Sequence, residues 1–140
     1  MNGKLFGLGV GPGDAELLTL KALRLIKESE VIAVPGNDTE NSVAYQIVKS
    51  VYDGLDEKIL LPVAMPMTKD AAVLEENHKK AADDVEFHLK QGRQVAFLTL
   101  GDATVYSTYL YVHKRILERG YEAEIVSGIT SFCAVAARLN

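Results

Sequence analysis

One cysteine cannot close a disulfide, and Cys133 is the only one in the chain. That excludes a disulfide-stapled secreted scaffold and fits a reducing compartment. Tryptophan is absent, and the three histidines are scattered rather than spaced as metal ligands, so no metal is expected. No apolar run approaches the ~20 residues that span a bilayer, so no membrane partner is expected. A basic excess is missing too. The 15 lysines and arginines face 19 aspartates and glutamates, a net charge of −4, which argues against a nucleic-acid partner. Met1-Asn2-Gly3-Lys4 leads straight into an apolar run without the pattern of a secretion signal, and a cytoplasmic protein is the expectation.

What is present is an alternation of strand and helix patterns. Nearly half of the 140 residues are hydrophobic, enough for one domain with a sizeable core. Apolar runs predict strands over 4–10, 31–34, 58–63, 94–100 and 122–126. Between them, 3.6-residue periodicity predicts helices over 15–27, 42–52, 70–91 and 106–119, with a last one over 131–139. Asp14 is expected to cap the first helix, and Asn37 or Asn41 to begin the second, whose buried stripe reads Val43, Ile47 and Val51. Glu75-Glu76 and Lys79-Lys80 have the i,i+4 spacing of a solvated, ion-paired helix face. Strands that do not alternate polar and apolar residues are covered on both faces. The fold class is therefore α/β: a five-stranded, mainly parallel sheet with helices on both faces.

Such a sheet gathers the carboxyl ends of its strands at one edge, and three of these ends have unusual composition. The first is Gly9-Val10-Gly11-Pro12-Gly13-Asp14, a stiff glycine turn between strand and helix. It is neither a G-x-G-x-x-G dinucleotide turn, because Pro12 or Asp14 stands where the third glycine belongs, nor a phosphate loop with Gly-Lys-Ser/Thr. The second is Leu100-Gly101-Asp102, followed by hydroxyls on Thr104, Tyr106, Ser107, Thr108 and Tyr109. The third is Ser127-Gly128-Ile129-Thr130-Ser131. Each has a plain alternative: a tight turn without a ligand, helix capping by Asp102, Thr104, Thr130 or Ser131, and packing by Tyr109, Tyr111 and His113. His78 and His88 likewise read as packed or solvated. On these residues alone, the chain also fits a non-catalytic α/β module that binds a small molecule.

In order, these three ends together with Leu17-Leu18-Thr19-Leu20-Lys21-Ala22 resemble the motifs of the tetrapyrrole (corrin/porphyrin) methylases. Within that family, Tyr106-Ser107-Thr108-Tyr109 and Ser131-Phe132-Cys133-Ala134 most resemble the precorrin-2 (cobalt-factor II) C20-methyltransferases of cobalamin biosynthesis. They argue against family branches acting on other substrates. The resemblance implies an S-adenosylmethionine-dependent C-methyltransferase acting on a tetrapyrrole. It implies that residues 1–140 are the N-terminal domain of a two-domain enzyme, which associates as a homodimer and is inactive as this domain alone. Pro12, Leu100, Gly101, Asp102, Val105, Thr130 and Ser131 would then contact the cofactor, and Gly11 and Tyr106 the substrate. Gly101→Val would remove cofactor binding and leave the fold intact. Two departures loosen the loops: Ala103 and Ser127 stand where the family commonly has proline. A sulfonium is already an activated leaving group, so methyl transfer needs positioning more than acid catalysis, and no base is identified.

Overall fold

The computed structural model describes residues 1–64, 66, 68–101 and 109–130. Among these, five strands form one sheet: β1 (Lys4–Gly9), β2 (Val31–Pro35), β3 (Ile59–Val63), β4 (Val95–Thr99) and β5 (Glu122–Val126). Their order is β3-β2-β4-β1-β5, and every neighbouring pair is parallel. The three inner strands are buried almost throughout, while the edge strands β3 and β5 are half-exposed. That is why Glu122 and Glu124 are tolerated in β5; Glu124 lies 4.0 Å from Lys21.

Among the described residues, four α-helices cover the sheet: α1 (Leu20–Glu28), α2 (Val43–Lys49), α3 (Ala71–Lys90) and α4 (Tyr109–Glu118). The connections β1–β2 and β2–β3 run one way along the sheet, and β3–β4 and β4–β5 run the other way. Right-handed crossovers then place the two helix pairs on opposite faces. The core divides accordingly. Phe6, Leu8, Ile32, Val34 and Leu98 pack with α1 and α2, whereas Leu5, Val31, Ala33, Val95 and Phe97 pack with α3 and α4. Successive strand residues point to opposite faces, so each inner strand feeds both cores.

Two expected helices are rearranged. The pattern over 15–27 is broken into a 3-10 turn, Ala15–Leu17, and α1. Asp14 does cap the first piece, accepting from the Glu16 amide at 2.9 Å. Thr19 caps the second, accepting from the Ala22 amide at 3.1 Å, and Leu18 between them is extended. A hydroxyl that takes the amide three residues on starts a new helix rather than continuing an old one. In the second helix Ser42, not Asn37 or Asn41, is the cap, and Asn41 donates instead to Asp38. The buried face is Ala44, Tyr45, Ile47 and Val48, and Val43 and Val51 are exposed. Tyr45 turns this face, because its hydroxyl reaches Asp56 in the 3-10 turn Asp53–Glu57, whose Leu55 is fully buried.

The long helix is as expected, capped by Asp70 and followed by Gly92 at φ +80°. Its acidic face is not simply solvated. Glu75 pairs with Arg115 of α4, which holds the Glu75 carboxyl below its usual range, and Lys79 pairs with Asp83. Arg119 joins Asp83 at 2.9 Å and Glu86 at 3.0 Å across the same seam.

The histidines are packing residues. His78 stacks on Tyr111 with ring centroids 4.5 Å apart, His88 Nδ1 meets Arg93 at 3.1 Å, and His113 Nδ1 meets the Tyr109 hydroxyl at 2.8 Å. Burial lowers the proton affinity of all three. The unfolded chain therefore binds more protons than the folded one just below the ordinary imidazole value, about 6.5. Stability must fall as pH falls through that window. The expected result is a lower urea midpoint at about pH 5.5 than at about pH 7.5, and equal midpoints would contradict it.

Candidate functional site

β4 sends its chain to α4 on one face, whereas its neighbours β1 and β2 send theirs to α1 and α2 on the other. The direction in which successive strands are laid down thus reverses at β4. Parallel sheets open crevices at such reversals, beyond the carboxyl ends of the strands. All three glycine-marked ends lie at this edge.

Their backbones interlock. The Val10 amide continues the β1–β4 ladder to the Thr99 carbonyl at 2.9 Å. Gly11 and Gly101 then form an isolated antiparallel bridge, with N–H to carbonyl distances of 3.2 and 2.9 Å. Gly101 sits at φ +64° and Gly11 at φ +85°. The Gly101 carbonyl oxygen is wedged between the other two ends. A Cβ on Gly9 would lie 2.4 Å from it, and one on Gly128 only 2.2 Å. A Cβ on Gly101 would lie 3.6 Å from the Thr130 Cα, so the β4 and β5 ends are also close together.

This geometry redistributes the expected roles. Gly11 and Gly101 direct their amides and carbonyls at each other. What the edge offers a ligand is therefore their neighbours: Leu100 and Ile129, whose apolar side chains are 50% and 36% exposed, with the half-buried Pro12 and Thr130. Gly101→Val is not a fold-neutral change, because a β-branched residue is strained at φ +64°. Asp102, Val105, Tyr106 and Ser131, like the helix over 131–139 and the start of that over 106–119, lie outside the described residues.

Tyr109 begins the described part of α4. It is completely buried, with its ring 5.2 Å from that of Phe97 and its hydroxyl on His113. Burial pushes that hydroxyl far above its ordinary value. The ring occupies the space that a side chain on Gly7 would fill, since a Cβ there would lie 2.2 Å from it. Gly7 thus admits Tyr109, and Tyr109 fixes the far end of the β4–α4 connection to the sheet. The packing alternative for Tyr109 is the one observed.

What the sequence did not reveal is a cleft of about 440 Å³ at the carboxyl end of β2, bounded by residues 35–38 and 41–44 and by Leu100. Asp38 shapes its rim, accepting from the Glu40 amide at 3.1 Å and the Asn41 side chain at 2.6 Å. The glycine, asparagine and aspartate after the buried run Val31–Pro35 were the available signal.

A family model described as Tetrapyrrole (Corrin/Porphyrin) Methylases matches residues 4–140. The chain belongs to that family. Among tetrapyrrole methylases it is similar to a protein of Methanocaldococcus jannaschii named probable cobalt-precorrin-2 C(20)-methyltransferase. The two are 46% identical over 98% of the chain and 57% of the relative. It is 37% identical to the cobalt-precorrin-2 C(20)-methyltransferase of Salmonella typhimurium, over 99% of the chain and 57% of that protein. The chain thus spans little more than half the length of these two methylases. A similar solved structure is that of uroporphyrin-III C-methyltransferase from Thermus thermophilus, complexed with S-adenyl homocysteine. The TM-score is 0.68 at 29% identity, covering 96% of this chain and 52% of that one. Among the described residues, no helix is long and apolar enough to cross a membrane.

Proposed function

We propose that this chain is the N-terminal α/β part of an S-adenosylmethionine-dependent C-methyltransferase. Its substrate on this reading is a tetrapyrrole, precorrin-2 or its cobalt form, methylated at C20 in cobalamin biosynthesis. The observation that supports this most directly is the 46% identity to a probable cobalt-precorrin-2 C(20)-methyltransferase over 98% of the chain. That chain-long match includes all the strand ends that meet at the Gly11–Gly101 bridge. A homodimer in the cytoplasm belongs to the same proposal.

The edge fits such a cofactor chemically. Leu100 and Ile129 offer exposed carbon beside a glycine junction where no Cβ intrudes, and Thr130 adds a hydroxyl on the adjacent end. When bound, S-adenosylmethionine supplies an already activated methyl group. The residues of this chain have to orient and to exclude water. The bridge holds the first and second strand ends in fixed relation, Pro12 stiffens the first, and Leu100 covers the approach with apolar surface. Alignment of this kind is worth up to ~7–11 kcal/mol in favourable systems. Asp102, Val105 and Ser131 are proposed as further cofactor contacts, and Tyr106 as a substrate contact.

Calorimetric titration of S-adenosylhomocysteine into the full-length gene product, beside the 140-residue chain, tests the reading. Tight binding by the long form and little by the short is expected if the cofactor cleft is shared between two domains. Absence of binding to both overturns the methyltransferase assignment and leaves a small-molecule module.

A further inference from the structure

Gly7 is a glycine without a backbone reason. It stands inside β1, an inner strand of the sheet, and its φ is not positive. A glycine there weakens the strand and packs nothing, so it marks a place where another group comes close. That group is Tyr109: a Cβ on Gly7 would overlap the edge of its ring, at Cε2 and Cζ. Gly7 is paired in register with Phe97 of β4, and the Tyr109 ring packs edge-on against Phe97. One ring therefore lies across both strands at a single register position, with its hydroxyl on His113 one helical turn further along α4. Four residues beyond Gly7 and Phe97, the same two strands are tied again by the Gly11–Gly101 bridge. At a rise of about 3.3 Å per residue, the two ties are at most about 13 Å apart.

The connection from β4 to α4 leaves the sheet at Gly101 and ends at Tyr109. Both of its ends are seated on the β1–β4 pair, so the sheet sets its span. A connection tied at both ends has given up closure freedom before any ligand arrives, and a ligand that binds beside it pays less to order it. Without the Tyr109 tie, Leu100 and Gly101 and the chain they lead into would be held by the bridge alone. Tyr109 is fully buried and is out of reach of a ligand. We propose that Tyr109, seated in the notch left by Gly7, is a positioning residue for S-adenosylmethionine, acting through the β1 and β4 strand ends. Apparent affinity falls in proportion to the fraction of molecules that hold the binding-competent arrangement. The Gly7–Tyr109 contact raises that fraction, whereas an ordinary core contact raises stability only. This inference rests on the methyltransferase reading above.

The test measures two quantities on variants of the full-length protein: the Kd for S-adenosylhomocysteine by calorimetry and the urea midpoint. Tyr109→Leu, which no longer reaches across both strands, is expected to raise the Kd about tenfold. Tyr109→Phe keeps the ring and should stay within about twofold of wild type. Leu89→Ala empties a fully buried position of α3 in the same half of the core. It should lower the urea midpoint and leave the Kd within about twofold. Gly7→Ala approaches from the other side by putting a methyl group where the ring lies, and it carries the test if Tyr109→Leu does not fold. Combined with Tyr109→Leu, it should weaken binding by less than the product of the two single losses, because the methyl group takes vacated space. Wild-type affinity in Tyr109→Leu or in Gly7→Ala, or an equal loss of affinity in Leu89→Ala, overturns the inference while cofactor binding by the wild type still stands. A wild-type protein that does not bind S-adenosylhomocysteine defeats the functional reading itself, and the inference with it.

Discussion

Replacing Gly128 by valine is expected to cost about 3 kcal/mol or more of folding stability and to abolish cofactor binding by the full-length protein. The new Cβ would lie 2.2 Å from the Gly101 carbonyl oxygen, 2.7 Å from the Gly9 carbonyl carbon and 2.8 Å from its Cα. All three are backbone atoms, so no side chain can rotate out of the way. Relief requires the β5 end to move off the β1 and β4 ends, which breaks the arrangement of Gly101 against Ile129 and Thr130. Cores resist expansion because they are close-packed, and here the obstruction is stiffer than a side chain. Urea denaturation gives the stability change, and titration with S-adenosylhomocysteine gives the binding change. A variant as stable as wild type would mean that the three strand ends do not meet as described.

The second large effect is expected at Tyr109. Tyr109→Ala removes a fully buried ring packed on Phe97 and leaves an empty space over Gly7. Large aromatic truncations of this kind cost about 3–5 kcal/mol. Tyr109→Phe keeps the ring and removes only the hydroxyl that meets His113, so its cost should be nearer 1 kcal/mol. Urea denaturation of both variants checks the ordering. If phenylalanine were as damaging as alanine, the hydroxyl–imidazole contact rather than the ring would be what holds α4 to the sheet.

The parts of this architecture that the sequence made legible are those where one residue type has one physical use. Unbroken apolar runs identified all five strands, and Asp70 and Gly92 marked the two ends of the longest helix. The three glycine-rich ends were visible because glycine directly after a buried strand costs backbone entropy that a side chain would save, unless a tight turn or a close approach requires it. Their interlocking was not visible. Which strands are neighbours depends on crossover direction, and nothing in the local pattern of β1 says that β4 and β5 will flank it. The break at Leu18 was missed because Asp14 and Thr19 are both competent caps, and periodicity runs through the gap between them. The rotated face of α2 was missed for a tertiary reason: Tyr45 is held by Asp56, eleven residues away. The cleft beyond β2 was not legible because Pro35-Gly36-Asn37-Asp38 reads equally well as an ordinary turn. Only the placement of Leu100 opposite it, from another strand, makes it a concavity.

The mutual pairing of Gly11 and Gly101 has a consequence for how this edge can be watched. Loop amides commonly exchange their hydrogens with solvent quickly, because local opening there requires little free energy. These two amides are bonded across a junction of separate loops. They should exchange more slowly than their loop neighbours, and together, since one opening event releases both. In deuterium oxide they form a built-in reporter of the edge that needs no ligand, no label and no catalysis. Slow paired exchange signals a closed junction between the β1 and β4 ends.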